Sequence, residues 1–318
     1  MREVRNASMQ WYRQPILSFA DLGPVRSFTE KSSLVSGLVS RFVAGQTLEE
    51  ALPKVEAIAA TGITATLDEL GENVASESEA SAAVETFVRS LRMLAERGLE
   101  PNISIKLTML GLDLSDAIAE ANAITILQAA REVHGFVRID MEASAYTERT
   151  LHLFEKLHDQ FPDEVGIVIQ TYLYRSRADI ERLIARKARV RLVKGAYSEP
   201  SSVAFASTVD RDDNYLRLMY LLLENGNYPA IATHDTGMIN AAKMYATDHR
   251  IAADRFEFQM LYGVRRDLQT SLAAEGYRMR VYIPFGTAWY PYFTRRIAER
   301  PANATFVLRQ FVDRNGGK

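Results

Sequence analysis

The sequence contains no cysteine, and it also lacks any long apolar run. The absence of cysteine excludes disulfides, thiolate metal ligands and cysteine nucleophiles, and it fits a reducing cytoplasm. No apolar stretch reaches the roughly 20 residues that a membrane helix needs. The first residues, MREVRNASMQWYRQ, do not contain the apolar core of a secretory signal. We therefore expect a cytoplasmic protein.

An excess of one charge sign and the familiar nucleotide motifs are also missing. The chain has 38 basic and 40 acidic residues, interspersed along its length, so we expect no nucleic-acid partner. Neither GxGxxG nor GxxxxGK occurs, which leaves a Rossmann site and a P-loop unsupported. HExxH is absent too. His234 and Asp235 with Asp140 form only a weak candidate for a metal site, and we expect no metal.

The chain does contain eight short β-prone runs, and segments with helical spacing lie between them. The helical segments include 80–98, 147–162 and 212–227. Eight alternations predict an α/β fold, a (β/α)8 TIM barrel, and favour it over a doubly wound open sheet. We place the barrel at 61–318 and a helical arm at 1–60. The predicted strands are 62–68, 102–108, 136–142, 165–171, 190–196, 228–235, 256–261 and 279–286.

Polar side chains occur at or near the ends of nearly all predicted strands, where a barrel places its active site. Barrels also hold paired charges in their interior. For any one of these residues, a structural ion pair is as good an interpretation as a role in an active site. Burying the whole set without a ligand would carry a large desolvation cost. The set therefore predicts a site. It comprises Asp68, Lys106, Asp140, Glu142, Gln170, Arg191, Lys194, Thr233, His234, Asp235, Glu257, Gln259 and Tyr282.

Two adjacent arginines, Arg295 and Arg296, lie in a predicted final helix at 289–313, just after an aromatic cluster that includes Tyr292. A solvated helix face with an ion pair to Glu299 is the commoner meaning of such charges. Guanidinium groups also match a carboxylate, and the aromatic cluster suits an apolar body. If this helix crosses the barrel mouth, both arginines could bind one carboxylate together with Lys106.

Lys194 is open to two interpretations. A lysine at a strand end could be a Schiff-base nucleophile, as in lysine-dependent aldolases. The neighbouring positive charges, Arg191 and Lys106, would equally suit an anionic cofactor that carries phosphates and a ring system. The residues alone do not choose between a lyase and a cofactor enzyme.

Eight segments resemble, in order, the proline dehydrogenases, and the resemblance covers essentially the whole chain. It implies a distorted (β/α)8 barrel whose final helix lies over the strand ends, with FAD as cofactor. The length suggests the monofunctional form, so that a separate pyrroline-5-carboxylate dehydrogenase would take the product. The segments are SIKLT, RIDMEAS, IQTYLYR, RLVKGAY, ATHD, FEFQMLYG, VYIPFG and YFTRRIAERPAN.

The resemblance also implies the roles of the substrate residues. Arg295, Arg296 and Lys106 would hold the proline carboxylate, and Asp140 would belong to the same catalytic cluster and orient Lys106. Glu72 would pair with Arg295 as an ionic gate. Around the pyrrolidine ring we expect Tyr282, Tyr292 and Leu261. A tyrosine at 282 is typical of enzymes that prefer proline to hydroxyproline.

Cofactor roles follow from the same resemblance. Arg191 would lie near the flavin N5 and stabilise charge there. We expect Arg191 and Lys194 to have no protein partner, because they would serve the cofactor, and Gly195 and Ala196 to be small so that it can approach the backbone. The expected FAD contacts are Met141, Gln170, Val193, Lys194, Gly195, Ala196, Tyr197, Thr233 and His234.

The implied reaction is hydride transfer from proline C5 to flavin N5, which yields Δ1-pyrroline-5-carboxylate. Electrons would pass to quinone, with possible peripheral contact at the inner face of the membrane. An apolar stripe could serve that contact, although packing on the barrel is the favoured interpretation. A Schiff-base lyase and a non-catalytic barrel that binds flavin or an amino acid are the alternatives. The stripe comprises Leu34, Val35, Leu38, Val39 and Phe42.

Overall fold

A closed barrel of eight parallel strands forms the centre of the computed structural model, which describes residue 37 and residues 39–298. Each strand pairs with the next along the chain, and β8 pairs with β1 from Thr64↔Arg280 to Glu69↔Phe285. The closure confirms the barrel and rules out the open sheet. The strands are β1 (Thr64–Glu69), β2 (Asn102–Ile105), β3 (Phe136–Ile139), β4 (Val165–Gln170), β5 (Arg189–Val193), β6 (Ala230–Ala232), β7 (Glu257–Leu261) and β8 (Arg278–Phe285).

Helices surround the barrel, and several begin at polar side chains that cap them. The Ser76 hydroxyl accepts a hydrogen bond from the Glu79 amide, and the Asp235 carboxylate accepts from Gly237 and Met238. The described helices are α1 (Leu48–Ala59), α2 (Glu77–Glu96), α3 (Asp116–Glu132), α4 (Thr147–Gln160), α5 (Ser176–Ala185), α6 (Thr208–Asn225), α7 (Thr236–Asp248), α8 (Arg266–Ala274) and α9 (Trp289–Ala298). None of them combines the length and hydropathy that crossing a membrane requires.

The N-terminal residues that the structure describes pack against the barrel. Helix α1 buries Leu52 and Val55 in the main core. Phe42 is 2% exposed and, with Val39, contacts a second apolar cluster that includes Phe293. The other stripe members, at 34, 35 and 38, lie outside the described residues, as does most of the predicted helical arm. The boundary between arm and barrel at residue 60 stays a prediction.

Most strands end earlier than their apolar pattern indicates. β2 ends at Ile105, β3 at Ile139 and β5 at Val193. The residues that follow these strands are buried or half-buried, as strand residues are. The amino-acid composition therefore does not show where each strand ends. Lys106, Asp140 and Lys194 therefore occupy the first positions of loops at the carboxyl ends of the strands.

The interior of the barrel holds a paired layer of charges. Arg280 Nε lies 3.1 and 3.2 Å from the two carboxylate oxygens of Glu257, and its Nη2 lies 2.8 Å from Glu100. Glu257 begins β7, so it lies at the opposite end of that strand from the expected site. For Glu257 the interpretation as an internal ion pair is the correct one.

Candidate active site

A cavity of about 680 Å³ lies at the carboxyl ends of the strands. Helix α9 contributes part of its wall. Every residue predicted to contact substrate or flavin, and Glu72 of the predicted gate, lines this cavity. They are Glu72, Lys106, Asp140, Met141, Gln170, Arg191, Val193, Lys194, Gly195, Ala196, Tyr197, Thr233, His234, Leu261, Tyr282, Tyr292, Arg295 and Arg296.

Asp140 is held on both of its carboxylate oxygens. Arg191 Nη1 donates to Oδ1 at 2.8 Å, and the Tyr282 hydroxyl donates to Oδ2 at 3.0 Å. Arg191 Nη2 also donates to the Ser104 hydroxyl at 3.0 Å. The expectation that Arg191 has no protein partner is therefore wrong. Burial and the charge of Asp140 raise the pKa of Tyr282 well above its usual value, so this hydroxyl remains a hydrogen-bond donor.

Lys106 contacts Asp68, a carboxylate that the sequence placed at a strand end without a role. Its Nζ lies 2.9 Å from Asp68 Oδ1 and 3.8 Å from Asp140 Oδ2. Asp68 is therefore the nearer partner, and Asp140, which was expected to orient this lysine, is the more distant one. Burial opposes the charge of Lys106, but the two carboxylates outweigh it and raise the lysine pKa. The only sequence signal for Asp68 was its position near the end of a predicted strand.

Helix α9 brings the paired arginines to the cavity, as the prediction for the final helix requires. Arg295 Nη2 lies 3.3 Å from Glu72 Oε1, and both side chains are about one-third exposed. This is the contact expected of the predicted gate. The Arg296 guanidinium lies 5.3 Å from the centre of the Tyr292 ring. Residues 299–313 of the predicted helix lie outside the described residues.

Lys194 has protein partners, contrary to expectation. Its Nζ lies 2.7 Å from Asp212 Oδ1, on α6, and 3.8 Å from Asp235 Oδ2, at the start of α7. The ion pairs join the loop after β5 to two helices. An ammonium group held by a carboxylate is a poor nucleophile, so this arrangement disfavours the Schiff-base interpretation.

Gly195 is required for a backbone reason that the sequence did not show. Its φ is +116°, and an added Cβ would lie 2.1 Å from ring carbons of Tyr172. The left-handed backbone and the packed tyrosine are enough to exclude a side chain here. Nearby, Gln170 donates to the Glu142 carbonyl at 2.8 Å and accepts from the Ala196 amide at 3.4 Å.

Two further contacts fix the loops around the cavity. His234 Nε2 accepts from the Leu261 amide at 3.0 Å, which leaves that nitrogen occupied by the backbone. Glu199 accepts a hydrogen bond from the Ser144 amide at 2.7 Å and so links the loop that carries Tyr197 to the loop after β3. Glu199 was not predicted, because a glutamate before a proline in a loop has no distinctive pattern.

Comparison with known proteins identifies the family. The sequence profile described as proline dehydrogenase matches residues 51–309. Proline dehydrogenase 1 of Bacillus subtilis subsp. natto is 47% identical over 269 residues, which cover 85% of this chain and 89% of that protein. Proline dehydrogenase of Deinococcus radiodurans is 41% identical over 304 residues, covering 94% and 97% of the two chains.

A solved structure extends the likeness to the fold. Proline utilization A from Bdellovibrio bacteriovorus, inactivated by N-propargylglycine, superposes with a TM-score of 0.79 at 28% identity. The match covers 88% of this chain and 34% of the other, so this chain spans about a third of that protein. Sequence profile, relatives and barrel agree, and the chain belongs to the proline dehydrogenase family.

Proposed function

We propose that this protein oxidises L-proline to Δ1-pyrroline-5-carboxylate with FAD as cofactor. The observation that carries the proposal is the convergence of Lys106, Arg295 and Arg296 with Tyr282 and Leu261 on one cavity. Three cations beside an aromatic and an aliphatic side chain suit a small carboxylate on an apolar ring. Membership of the proline dehydrogenase family supports proline as that substrate.

The cations fix the orientation of the substrate. Arg295 and Arg296 come from α9 and Lys106 from the loop after β2, so they approach one carboxylate from different elements. Planar guanidinium groups can bind a carboxylate through two parallel hydrogen bonds. With the carboxylate held, the walls formed by Leu261 and Tyr282 limit rotation of the ring. Orientation of this kind can supply a large part of the rate enhancement.

The residues around the cavity fit a flavin. Arg191 is 4% exposed, and its Nε has no hydrogen-bond partner among the described residues. A buried donor without a partner at a cavity wall is most simply explained by a ligand that accepts from it. The cavity also lies within the size range of small-molecule and cofactor sites. Residues that would hold the cofactor are Met141, Gln170, Arg191, Val193, Lys194, Gly195, Ala196, Tyr197, Thr233 and His234.

A bound flavin supplies the acceptor for the hydride that leaves proline C5. Arg191 would place a fixed positive charge beside that acceptor, and Asp140 would hold the guanidinium in place. Tyr282 would fill the space beside the ring and exclude a ring hydroxyl. Arg295 and Glu72 would separate to admit the substrate and meet again over it.

Two further parts of the proposal concern what happens after oxidation. Electrons would pass to quinone at the inner face of the membrane, where contact would be peripheral. The product would pass to a separate pyrroline-5-carboxylate dehydrogenase. Both parts follow from the family resemblance.

An absorption spectrum of the purified protein, before and after anaerobic addition of L-proline, tests the proposal. We expect a flavin band near 450 nm, roughly where flavins absorb, that bleaches on addition of proline. A band that stays unchanged would refute proline as substrate. If no band appears even after incubation with FAD, the cofactor assignment is wrong.

A further inference from the structure

We infer that Asp68 is the positioning residue of Lys106, and that it acts on proline binding through this lysine. The inference rests on the proposed function and adds a residue to it. Asp140 shares both carboxylate oxygens with Arg191 and Tyr282, whereas Asp68 lies 2.9 Å from Lys106 Nζ. The nearer carboxylate therefore sets the position of the ammonium group.

Strand register explains why these two side chains meet. Asp68 on β1 pairs with Ser104 on β2, and Lys106 follows Ser104 by two residues. Residues two apart along a strand face the same side of the sheet. The side chains of Asp68 and Lys106 therefore both project to the barrel interior. The Asp68 side chain is 2% exposed and the Lys106 side chain 11%. The carboxylate is thus the more deeply covered partner, and the lysine is the one with more surface toward the cavity.

Loss of the Asp68 charge would redirect Lys106. Among the described residues, the other carboxylate that pairs with Lys106 is Asp140, at 3.8 Å. An ammonium group drawn toward Asp140 would compete with Arg191 and would move relative to the arginines of α9. The proline carboxylate would then lose a well-placed charge-assisted hydrogen bond.

The loss would also change how binding depends on pH. In the native protein the two carboxylates raise the pKa of Lys106 against the effect of burial. Without the Asp68 charge, burial weighs more heavily and the lysine pKa falls. Carboxylate binding should then weaken as pH rises in Asp68→Asn protein, over a range where the wild-type lysine remains charged.

The test measures the Kd of cyclopentanecarboxylate, a ring carboxylate without the oxidisable amine, from the perturbation of flavin absorbance. We expect Asp68→Asn to raise this Kd and the KM for proline by about tenfold, the effect of one lost charge-assisted hydrogen bond. The Kd should rise further from pH 7 to pH 9 in this variant only. Asp179→Asn is the matched control, because Asp179, on α5 and outside the cavity, is 5% exposed and ion-paired with Arg175.

A double-mutant cycle separates positioning from a general structural effect. In a Lys106→Met background, Asp68→Asn should cause no further rise in Kd, because the residue through which it acts is gone. An equal rise in both backgrounds, or an unchanged Kd in Asp68→Asn, would overturn the inference. Asp68→Asn leaves the Lys106 ammonium group without its nearer carboxylate, and this variant could fail to fold for that reason. In that case the double variant, which has neither charge, is compared directly with Lys106→Met, and the two should have the same Kd.

Wild-type protein that neither bleaches with proline nor binds the analogue would instead refute the proposed function, and the inference with it.

Discussion

Individual side chains in the cavity have more than one hydrogen-bond or ion-pair partner, and these partners limit the chemical role that each side chain can take. Asp140 accepts from Arg191 and Tyr282 while lying 3.8 Å from Lys106. A carboxylate engaged in this way is better suited to fix its neighbours than to bind substrate or take a proton. Preorganised groups cost little reorganisation at the moment of reaction. We therefore regard Asp140 as the residue that joins Arg191 to Tyr282 and Lys106 within the cavity.

The contribution of a single arginine can be measured at Arg295. Arg295→Met keeps an apolar stem but removes the guanidinium group, so the carboxylate loses charge-assisted hydrogen bonds. We expect KM for proline to rise about 10- to 100-fold, corresponding to roughly 1.5–3 kcal/mol. Flavin content should be unchanged. Steady-state kinetics and the ratio of flavin to protein absorbance check both statements.

Arg182→Met is the control for that measurement. Arg182 lies on α5 and pairs with Glu155 at 2.8 Å, outside the cavity. Its replacement should leave KM near the wild-type value. An unchanged KM in Arg295→Met would show that α9 does not bind the substrate.

Substrate choice is predicted to depend on Tyr282. The phenol is buried and hydrogen-bonded to Asp140, so it occupies a fixed volume beside the ring. We expect Tyr282→Ser to raise kcat/KM for hydroxyproline relative to proline by about tenfold, a typical size for a small change in pocket shape. Tyr282→Phe keeps the bulk and removes the hydroxyl, so it should retain the preference for proline. If Tyr282→Ser and the native enzyme prefer proline to hydroxyproline to the same extent, Tyr282 does not determine substrate choice.

At the scale of elements, the alternation of strands and helices was predictable, and the strand ends were less so. The predicted helix at 147–162 lies within two residues of α4, because its caps and apolar spacing are strong signals. Lys106 and Asp140 were expected inside strands but lie just beyond them. The apolar runs continue past the last ladder hydrogen bond, since the loops that follow are also covered by neighbouring elements.

The loop after β5 depends on a glycine that cannot be replaced without strain. Gly195→Ala would force a side chain into a left-handed conformation and against the Tyr172 ring. The loop would have to move, and with it the neighbouring residues predicted to contact the flavin. We expect most of the purified variant to lack flavin, and the absorbance ratio measures this directly.

Gly276→Ala separates backbone strain from the clash. Gly276 also has a positive φ, +88°, but an added Cβ there meets no atom within 4 Å. The Gly276→Ala variant should lose about 1 kcal/mol of stability from backbone strain alone and should retain its flavin. Full flavin content in Gly195→Ala would show that the loop tolerates displacement.

For the whole molecule, closure of the barrel is what brings distant residues to one cavity. Glu72 and Arg295 are far apart in sequence, yet they lie 3.3 Å apart because β8 pairs with β1 and α9 follows β8. The sequence predicted which residues would surround the mouth, since that follows from strand order. It did not predict that Asp68 is the nearer partner of Lys106, or that Asp212 pairs with Lys194. Pairings of this kind depend on register and side-chain reach, which periodicity does not specify.

The stability of the molecule is predicted to depend on pH through Glu69, at the end of β1 but outside the cavity. Burial and the neighbouring charge of Asp68 raise its pKa from 4.5 to about 7, and Oε2 has no partner among the described residues. A carboxyl whose pKa is raised on folding contributes stability below pH 4.5, and this contribution is lost as pH rises through about 7. Glu69→Gln cannot ionise and escapes this loss. We expect equal Tm values for variant and native protein at about pH 4, below the unfolded pKa of 4.5.

Above pH 8 the Glu69→Gln variant should unfold a few degrees higher, reflecting about 1–2 kcal/mol at this partly exposed position. Thermal unfolding followed by circular dichroism at the two pH values gives the comparison. Glu85→Gln, at an exposed position on α2, controls for the change in net charge and should show no such pH-dependent gain. A gain for Glu69→Gln that is the same at both pH values would mean that the amide packs better, and that ionisation of Glu69 does not limit stability.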